Sequence, residues 1–468
     1  MRKISRTGKE NMKGLLRGAE TLLEVLIMTI LYFVIWRMTD PEAEIFGYFY
    51  RGKYVLMGTY AILMLIVFQG SDCTMFGQFR ISELLIGQII SLTAVNLITY
   101  LQLCLMAEQL LPFSFILLLL AAESVVSVVC VALFQKIYFD LYQPHDILLV
   151  YGSRTGVLLK FKMDVRSEKY HITELVSADA GFEEICSRLE THDAVVLNEV
   201  PVPLRNQLLK FCYRNGIWIS TAPELTDIML RGALNNKLFD VPLFMVRGCG
   251  LLPGQRIAKR FLDVLVSGIG ILFLSPIMIL AAAALFLENR GPILRRELCV
   301  TRGGQEFMLL RFHTTVNGDP SCNSDADLKN CSGRTKTGYI LQKLRLDGLP
   351  KLFNVLKGDM SIVGPAPDLK AQEEWFSKAI PEYDFRLKVR AGLTGYAQVF
   401  GNPRTTAYDR LRMDLMYIET YSLVMDLKLV VLSLYALFRR GNAVSADTEK
   451  ENEKLAEQLI RDYGQNRE

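Results

Sequence analysis

The sequence predicts a membrane protein with three parts: an α-helical N-terminal bundle, a small α/β domain, and a mixed α/β domain with a re-entrant membrane helix. Three observations support this fold class. Four apolar runs fill the first third, short apolar strands alternate with helical spacing in the middle, and a later apolar stretch contains a central proline. The predicted boundaries are 1–135 for the bundle, 145–248 for the α/β domain, 255–440 for the third domain and 441–468 for a polar tail.

Composition limits the class further. The chain has 468 residues, and this length suggests about two to four domains. Because 51% of the residues are hydrophobic, a disordered or fibrous chain is excluded. The net charge of +4 is too balanced to predict a nucleic-acid partner. The nine cysteines include no CxxC pair and the four histidines are far apart, so we predict no zinc site.

The N-terminal bundle is predicted from apolar runs that approach the roughly 20 residues needed to cross hydrocarbon. Basic residues precede the first run and no cleavage site follows it, so we expect a retained helix with a cytoplasmic N-terminus. Four crossings then return the chain to the cytoplasm. Glu123 lies inside the fourth run, where we expect a neutral carboxyl that faces the bundle. The four runs are 19–36, 54–68, 84–107 and 111–134.

The middle segment has the pattern of a parallel α/β domain. Short apolar runs at 146–151, 193–197 and 216–221 are typical of buried strands, and 203–215 between the last two has helical spacing. The loop 152–156 (GSRTG) follows the first strand, as a nucleotide-binding loop would, but GxGxxG is absent. We therefore favour an ordinary strand-to-helix turn in a degenerate Rossmann-like module.

The apolar stretch 261–287 is long enough to span a membrane, but Pro276 lies in its middle. Proline removes one backbone hydrogen bond and bends a helix. Both flanks of the stretch are basic, which favours a helix that enters and leaves by the same membrane face. The alternative is an ordinary fifth span.

Sequence motifs follow this stretch at close intervals. Leu346-Asp347 precedes the run 354–365 (NVLKGDMSIVGP), and 392–395 (GLTG) comes later. On these motifs the interval from about 255 to 440 resembles the bacterial sugar transferase family, the polyprenyl-phosphate hexose-1-phosphate transferases. The N-terminal helices and the α/β module resemble the long membrane form of that family.

The resemblance implies transfer of a sugar 1-phosphate from a UDP-sugar to membrane polyprenyl phosphate, usually undecaprenyl phosphate, with release of UMP. This reaction starts an exopolysaccharide, capsule or O-antigen repeat unit. The family uses Mg²⁺ and a carboxylate nucleophile, which corresponds to Asp347 here. The implied location is the bacterial inner membrane, with the catalytic domain in the cytoplasm. The implied partners are the membrane, the two substrates, and either a second copy or other polysaccharide-assembly proteins.

The residues around Asp347 suit this role by themselves. Pro350 favours a helix start, so we expect Asp347 near a helix N-terminus, where backbone N–H groups attract phosphate. Lys343, Arg345 and Lys351 add positive charge. The alternative is that Asp347 only caps that helix.

The sequence departs from the family where the chemistry is expected. Gly348 stands where the family has a catalytic Glu, and Ala366 replaces an Arg that would bind phosphate. Two hypotheses therefore remain: an active transferase with a modified site, which we favour because Asp347 is kept, or an inactive relative that binds lipid phosphate or a partner. The predicted metal ligand is Asp359, and the predicted substrate or phosphate ligands are Arg311, His313, Arg345, Ser361, Arg386, Arg390 and Thr394.

Overall fold

A computed structural model describes residues 2–39, 52–70, 74, 75, 77, 81–142, 145–164, 169–238, 240–246, 248, 250–289, 292–314, 336–343, 346–401 and 405–438. The chain forms two compact units, Met1–Ala222 with Val444–Glu468, and Pro223–Ala443. The predicted tail 441–468 and Arg345 lie outside the described residues.

Four helices form the N-terminal region and confirm the predicted helical bundle. Three of their segments, Gly14–Met38, Ile81–Ala107 and Ser114–Leu141, are long and apolar enough to cross a membrane, whereas Tyr54–Gln69 is shorter. The helices are α1 (Arg2–Thr39), α2 (Gly52–Gly70), α3 (Ile81–Ala107) and α4 (Ser114–Leu141).

The interior of the bundle combines aromatic packing with polar contacts. Tyr32 of α1 stacks on Tyr60 of α2, with 4.5 Å between ring centroids. Glu123 of α4 is fully buried and accepts hydrogen bonds from the Tyr60 hydroxyl and from Asn96 Nδ2 of α3, the latter at 2.6 Å. Glu123 thus faces the bundle, as expected, and joins three helices.

The first unit also contains a four-stranded parallel sheet in the order β2-β1-β3-β4, which confirms the small α/β region. The predicted strands at 146–151, 193–197 and 216–221 correspond to β1, β3 and β4. Gly152 follows β1 directly and lies close to Glu199, which follows the neighbouring strand β3. A Cβ placed on Gly152 would lie 1.8 Å from the Glu199 carbonyl oxygen. The elements are β1 (His145–Tyr151), α5 (Arg154–Asp164), β2 (Tyr170–Ser177), α6 (Phe182–Leu189), β3 (Ala194–Asn198), α7 (Val202–Asn215) and β4 (Trp218–Thr221).

The second unit begins before the predicted start of the third domain. It includes α8 (Leu225–Arg231) and an antiparallel hairpin of β5 (Leu234–Leu238) and β6 (Val241–Met245), so the predicted module 145–248 contains residues of both units. A long helix, a second hairpin and several short helices follow. They are α9 (Pro253–Asn289), β7 (Leu294–Val300), β8 (Glu306–Phe312), α10 (Lys336–Lys343), α11 (Lys351–Lys357), β9 (Ser361–Val363), α12 (Lys370–Ala379), β10 (Gly392–Thr394), α13 (Tyr396–Phe400), α14 (Ala407–Glu419) and α15 (Leu423–Phe438).

Helix α9 is one continuous helix of 37 residues that contains Pro276. Near its start, Lys259 Nζ lies 2.6 Å from Asp426 Oδ2 of α15, and Asp263 accepts hydrogen bonds from the β9 segment. Near its end, Met278 and Leu285 pack in one apolar cluster with Phe312 of β8 and Leu341 of α10. The helix therefore contacts the same compact unit along both halves, while many other apolar side chains on it stay exposed.

The core of the second unit lies among α11, α14, β9 and a 3₁₀ segment, Pro381–Lys388. Asn354 links α11 to β8: its side chain accepts from the Leu310 N–H at 3.1 Å and donates to the Met308 carbonyl at 2.8 Å. These bonds satisfy backbone groups that hydrophobic packing alone would leave unpaired. Fully buried members of this core include Val355, Met360, Tyr383, Leu411 and Leu415.

Candidate active site

Asp347 lies in a tight turn that leads into α11. Within the turn, the Leu349 N–H donates to the Leu346 carbonyl and the Lys351 N–H donates to the Gly348 carbonyl, at 3.1 and 3.0 Å. The N-cap of α11 is Pro350. The alternative that Asp347 only caps the helix is therefore wrong.

The backbone of Asp347 is fixed while its side chain stays reachable. Its carbonyl oxygen accepts a hydrogen bond from the Phe312 N–H at the end of β8, at 3.0 Å. Leu346 and Leu349, on either side of Asp347, pack against the apolar cluster on the second half of α9. The carboxylate retains 20% side-chain exposure. A backbone held by hydrogen bonds thus presents a partly exposed carboxylate.

Arg311, a predicted phosphate ligand, is a charged residue that the structure places beside Asp347. Its Nη2 lies 3.4 Å from Asp347 Oδ2, and its side chain is 26% exposed. This distance is at the long end of the hydrogen-bond range. The Arg311 guanidinium and the Asp347 carboxylate are thus neighbours that are both partly open to solvent.

His313 follows Arg311 and Phe312 at the end of β8. Its backbone N–H donates to the Ile293 carbonyl at 2.8 Å, which holds this end of the hairpin in place. The imidazole is half-buried. The location of His313 next to the strand residues that hold Asp347 is compatible with its predicted role as a phosphate donor, which stays a prediction.

The predicted metal ligand, Asp359, lies at the opposite end of α11 from Asp347. A helix of seven residues spans about 10 Å. The Lys357 ammonium lies 3.0 Å from Asp359 Oδ2. The two carboxylates are therefore too far apart to hold one ion together.

The Mg²⁺ that the family resemblance implies stays a prediction at Asp347. Mg²⁺ takes six oxygen ligands and is held by carboxylates, substrate phosphates and water. Gly348 supplies no ligand, and the one carboxylate is already beside a guanidinium. Within the described part of the chain, no group of three His, Cys, Asp or Glu side chains is arranged to hold a metal ion.

Arg386 was predicted to bind phosphate, and the structure corrects this. Its guanidinium is 1% exposed and contacts three carboxylates: Asp368, Asp414 at 3.1 Å and Glu373 at 3.9 Å. It also donates to the Ala366 carbonyl at 2.6 Å. Because its guanidinium is buried among carboxylates of the same unit, Arg386 cannot reach a substrate.

The carboxylates around Arg386 show how deeply this cluster is buried. Burial raises the pKa of Glu373 to about 7, although the charge of Arg386 opposes the shift. Burial likewise raises the pKa of Asp414 to about 6. Desolvation disfavours the charged form of each carboxyl more than the nearby cation favours it.

Ser361 and Thr394 were also predicted as ligands. Ser361 is fully buried, and its hydroxyl donates to Asp263 Oδ1 at 2.9 Å, so it is closed to a substrate. The Thr394 hydroxyl shares a hydrogen bond with Ser433 of α15, and its role as a ligand stays a prediction. These contacts join β9 to α9 and β10 to α15.

Arg390 belongs to a different charged group from Asp347. Burial lowers its pKa, and the nearby guanidinium groups of Arg260 and Arg302 lower it further, while Asp263 and Asp359 oppose the shift. Arg260 itself donates to the Val355 and Leu356 carbonyls, near the C-terminus of α11. Arg390 is therefore associated with the Asp359 end of α11.

A buried network of Lys259, Tyr417 and Asp426 lies outside the set of residues predicted from the sequence. Lys259 Nζ donates to the Tyr417 hydroxyl at 3.0 Å and to Asp426 at 2.6 Å, and the Tyr417 hydroxyl donates to Asp426 Oδ1 at 2.7 Å. The sequence contains a hint of this network, because Lys259 stands at the start of one apolar helix and Asp426 at the start of another. A buried charge requires a partner of opposite sign.

The part of the chain from α9 onwards matches known proteins. The model of the family described as "Bacterial sugar transferase" matches residues 254–440. A UDP-glucose:undecaprenyl-phosphate glucose-1-phosphate transferase of Caulobacter vibrioides is 38% identical over 208 residues, which cover 43% of this chain and 78% of the relative. This chain therefore belongs to the bacterial sugar transferase family.

Two other relatives have the same kind of match. The exopolysaccharide production protein ExoY of Rhizobium meliloti is 32% identical, over 42% of this chain and 92% of the relative. A UDP-N-acetylgalactosamine-undecaprenyl-phosphate N-acetylgalactosaminephosphotransferase of Aeromonas hydrophila is 34% identical, over 38% of this chain. The chain matches only 44% of the length of that last relative.

Proposed function

We propose that this chain transfers a sugar 1-phosphate from a UDP-sugar to undecaprenyl phosphate, with Asp347 as the nucleophile. The observation that carries the proposal is a partly exposed Asp347 carboxylate, held by its backbone beside Arg311 in a member of a transferase family. The names of the relatives supply the two substrate classes.

The proposed reaction has two balanced steps. An oxygen of the Asp347 carboxylate attacks the sugar-linked phosphorus of the donor, and the bond to the bridging oxygen breaks, so that UMP leaves with the bonding electrons. A phosphate oxygen of the lipid then attacks the same phosphorus. The bond to Asp347 breaks, which regenerates the carboxylate and releases a lipid diphosphate sugar. Arg311 offsets charge on the transferring group in both steps.

The proposal includes a re-entrant α9, with both ends at the cytoplasmic face. Support comes from the packing of one compact unit along both halves of the helix, at Lys259 and Asp263 and again at Met278 and Leu285. A straight crossing would carry polar loops of this unit into hydrocarbon, where unpaired backbone groups are costly. The outward apolar side chains of α9 would then contact lipid.

The product would begin a repeat unit of an exopolysaccharide, capsule or O-antigen. The relative named as an exopolysaccharide production protein supports the first of these. A second copy or other polysaccharide-assembly proteins are the proposed partners. The second hypothesis, an inactive relative, rests only on Gly348 and Ala366.

The test is UMP release from a panel of UDP-sugars by the purified full chain in nanodiscs that contain undecaprenyl phosphate. We expect release with at least one donor, and formation of a lipid-linked sugar diphosphate in equal amount. Release should disappear in Asp347→Asn. Absence of UMP across the panel from a folded protein would overturn the proposal.

A further inference from the structure

Two arginines meet beside the C-terminal end of α11. The hydroxyl of the buried Thr301 accepts a hydrogen bond from the Ala391 N–H at 3.2 Å and donates one to the Asp359 carbonyl at 2.9 Å. Arg302 follows Thr301 directly, and Arg390 directly precedes Ala391. Thr301 therefore ties the segments that carry Arg302 and Arg390 to the end of α11.

Arg260 of α9 lies at the same end of α11. Its guanidinium donates to two carbonyls of the last turn, at 2.7 and 2.8 Å, and lies 3.3 Å from a Cβ placed on Gly358, the C-cap. Burial lowers the pKa of Arg390, and the charges of Arg260 and Arg302 lower it further. Arg390 therefore lies close to two other guanidinium groups.

The carboxylates in this region already have other partners. Asp263 accepts hydrogen bonds from the Ser361 hydroxyl and from a backbone N–H of β9, both at 2.9 Å. Asp359 Oδ2 lies 3.0 Å from the Lys357 ammonium. In the part of the chain that the structure describes, the Arg390 guanidinium has no hydrogen bond and no ion pair, although both carboxylates act on its charge through space.

The arginine side chains keep donors that a ligand can reach. Arg390 is half-buried and Arg302 is exposed. Arg260 uses only two of the five N–H donors of its guanidinium on the carbonyls of α11. Because like charges disfavour one another's charged form, an anion that binds among these groups would relieve their repulsion.

We propose that Arg260, Arg302 and Arg390 together bind a phosphate monoester at the C-terminal end of α11. Guanidinium groups suit phosphate because their forked N–H donors form parallel, charge-assisted hydrogen bonds with its oxygens. The site lies at the opposite end of α11 from Asp347. It is therefore separate from the Asp347 carboxylate and goes beyond the proposed function.

The position of Arg260 in the sequence favours a lipid as the source of the phosphate. Arg260 directly precedes the apolar stretch 261–287. With α9 embedded as in the proposed function, Arg260 would lie where the acyl chains end and the headgroups begin. A soluble phosphate ester offers the same oxygen atoms to the three guanidinium groups, so the experiment has one arm for each source.

The experiment measures the melting temperature of the purified full chain in detergent, at constant ionic strength. The probes are short-chain phosphatidic acid, which carries a phosphate monoester, and inorganic phosphate. A ligand that binds only the folded protein raises its melting temperature. We expect phosphatidic acid to raise it at concentrations where short-chain phosphatidylcholine does not. An equal response to inorganic phosphate would support a site for phosphate from either source.

Two variants locate the response. Arg302→Gln and Arg390→Gln should each weaken the apparent affinity for phosphatidic acid about 10- to 100-fold, as expected for loss of a charge-assisted hydrogen bond. Arg231→Gln, at an exposed position on α8, is the matched control and should respond like the parent. Without a probe, Arg390→Gln should melt no lower than the parent, because it removes a repelled charge. A purely structural role of Arg390 would lower that temperature and leave the affinity unchanged.

The same titration separates the phosphate site from the proposed function. Asp347→Asn should respond to phosphatidic acid like the parent, because Asp347 lies at the other end of α11. A response that depends on Arg302 and Arg390 in a protein that releases no UMP would support the site while the proposed function fails. No response to either probe, or equal responses of the parent and both arginine variants, would overturn the site even if UMP is released.

Discussion

Two charged groups in the second unit have opposite relations to solvent. Around Arg386, three carboxylates and a carbonyl surround one buried guanidinium. At Asp347, one carboxylate and the Arg311 guanidinium approach only to 3.4 Å, and both stay partly exposed. The first group is closed to solvent, whereas the second stays partly open to it.

This difference shows that a charge in a sequence motif can belong to the fold or to the reaction. A buried ion pair must satisfy its own hydrogen bonds because water cannot do so. A loosely paired surface cation loses little when a phosphate replaces its partner. Substitutions in the buried Arg386 cluster should change stability, and substitutions at the Asp347 pair should change activity.

The largest effect is expected for Asp347→Asn. Asparagine keeps the size of the side chain but is a poor nucleophile, so UMP release should fall at least about 10³-fold. The melting temperature should stay close to that of the parent, because the backbone carbonyl, not the side chain, accepts the hydrogen bond from Phe312. Asp384→Asn, at an exposed position, is the control. Activity retained by Asp347→Asn would place Asp347 outside the reaction.

Arg386→Gln should destabilise the second unit by about 3–5 kcal/mol, because it leaves buried carboxylates without their cation. The measurement is thermal unfolding in detergent, with Arg412→Gln, at a half-buried position on α14, as a milder comparison. If Arg386→Gln were as stable as the parent and had lost only substrate affinity, Arg386 would bind phosphate and its assignment to the buried cluster would be wrong.

The same cluster predicts a pH dependence of stability. The pKa of Glu373 is about 7 in the folded protein and 4.5 ordinarily, so the fold favours the protonated form. The raised pKa of Glu373 therefore adds up to about 3 kcal/mol to the free energy of unfolding. This contribution is fully present below pH 4.5 and is lost as the pH rises through 7. Melting temperatures from pH 5 to 8 should fall more steeply in the parent than in Glu373→Gln. Glu374→Gln, at an exposed neighbour, should retain the slope of the parent.

The smallest effect is expected for Arg311→Gln. Loss of one guanidinium beside the transferring phosphate should lower UMP release about 10- to 100-fold, while the protein stays folded. Arg311→Lys should recover part of the rate, because it keeps the charge but not the planar fork. Equal rates of the glutamine variant and the parent would remove Arg311 from the site.

Local motifs in the sequence were sufficient to predict the broad architecture and the position of the Asp347 carboxylate before α11. Apolar length predicted the membrane helices, and short alternating strands predicted the parallel sheet around β1 and β3. The motif at Asp347 predicted a reachable carboxylate near a helix start. These features depend on neighbours in sequence, so hydropathy and spacing report them.

The roles of single polar residues could not be predicted in the same way. Arg386 and Ser361 have side chains that could bind phosphate, and each was predicted to do so. Arg386 instead contacts Asp414, 28 positions away in the chain, and Ser361 contacts Asp263, 98 positions away. Only tertiary packing brings such groups together. Asp359 was misleading for a similar reason, because α11 separates it from Asp347 although the two are close in sequence.

The packing of the Asp347 turn against helix α9 affects how the two proposed substrates, a lipid phosphate and a sugar nucleotide, would meet. The turn with Asp347 rests on the apolar cluster of α9 through Leu346 and Leu349, without a flexible tether. If α9 is embedded in the bilayer, the carboxylate has a constant height above the acyl chains. The lipid phosphate would then arrive by lateral diffusion in two dimensions, and only the water-soluble donor would have to find the protein from bulk solution.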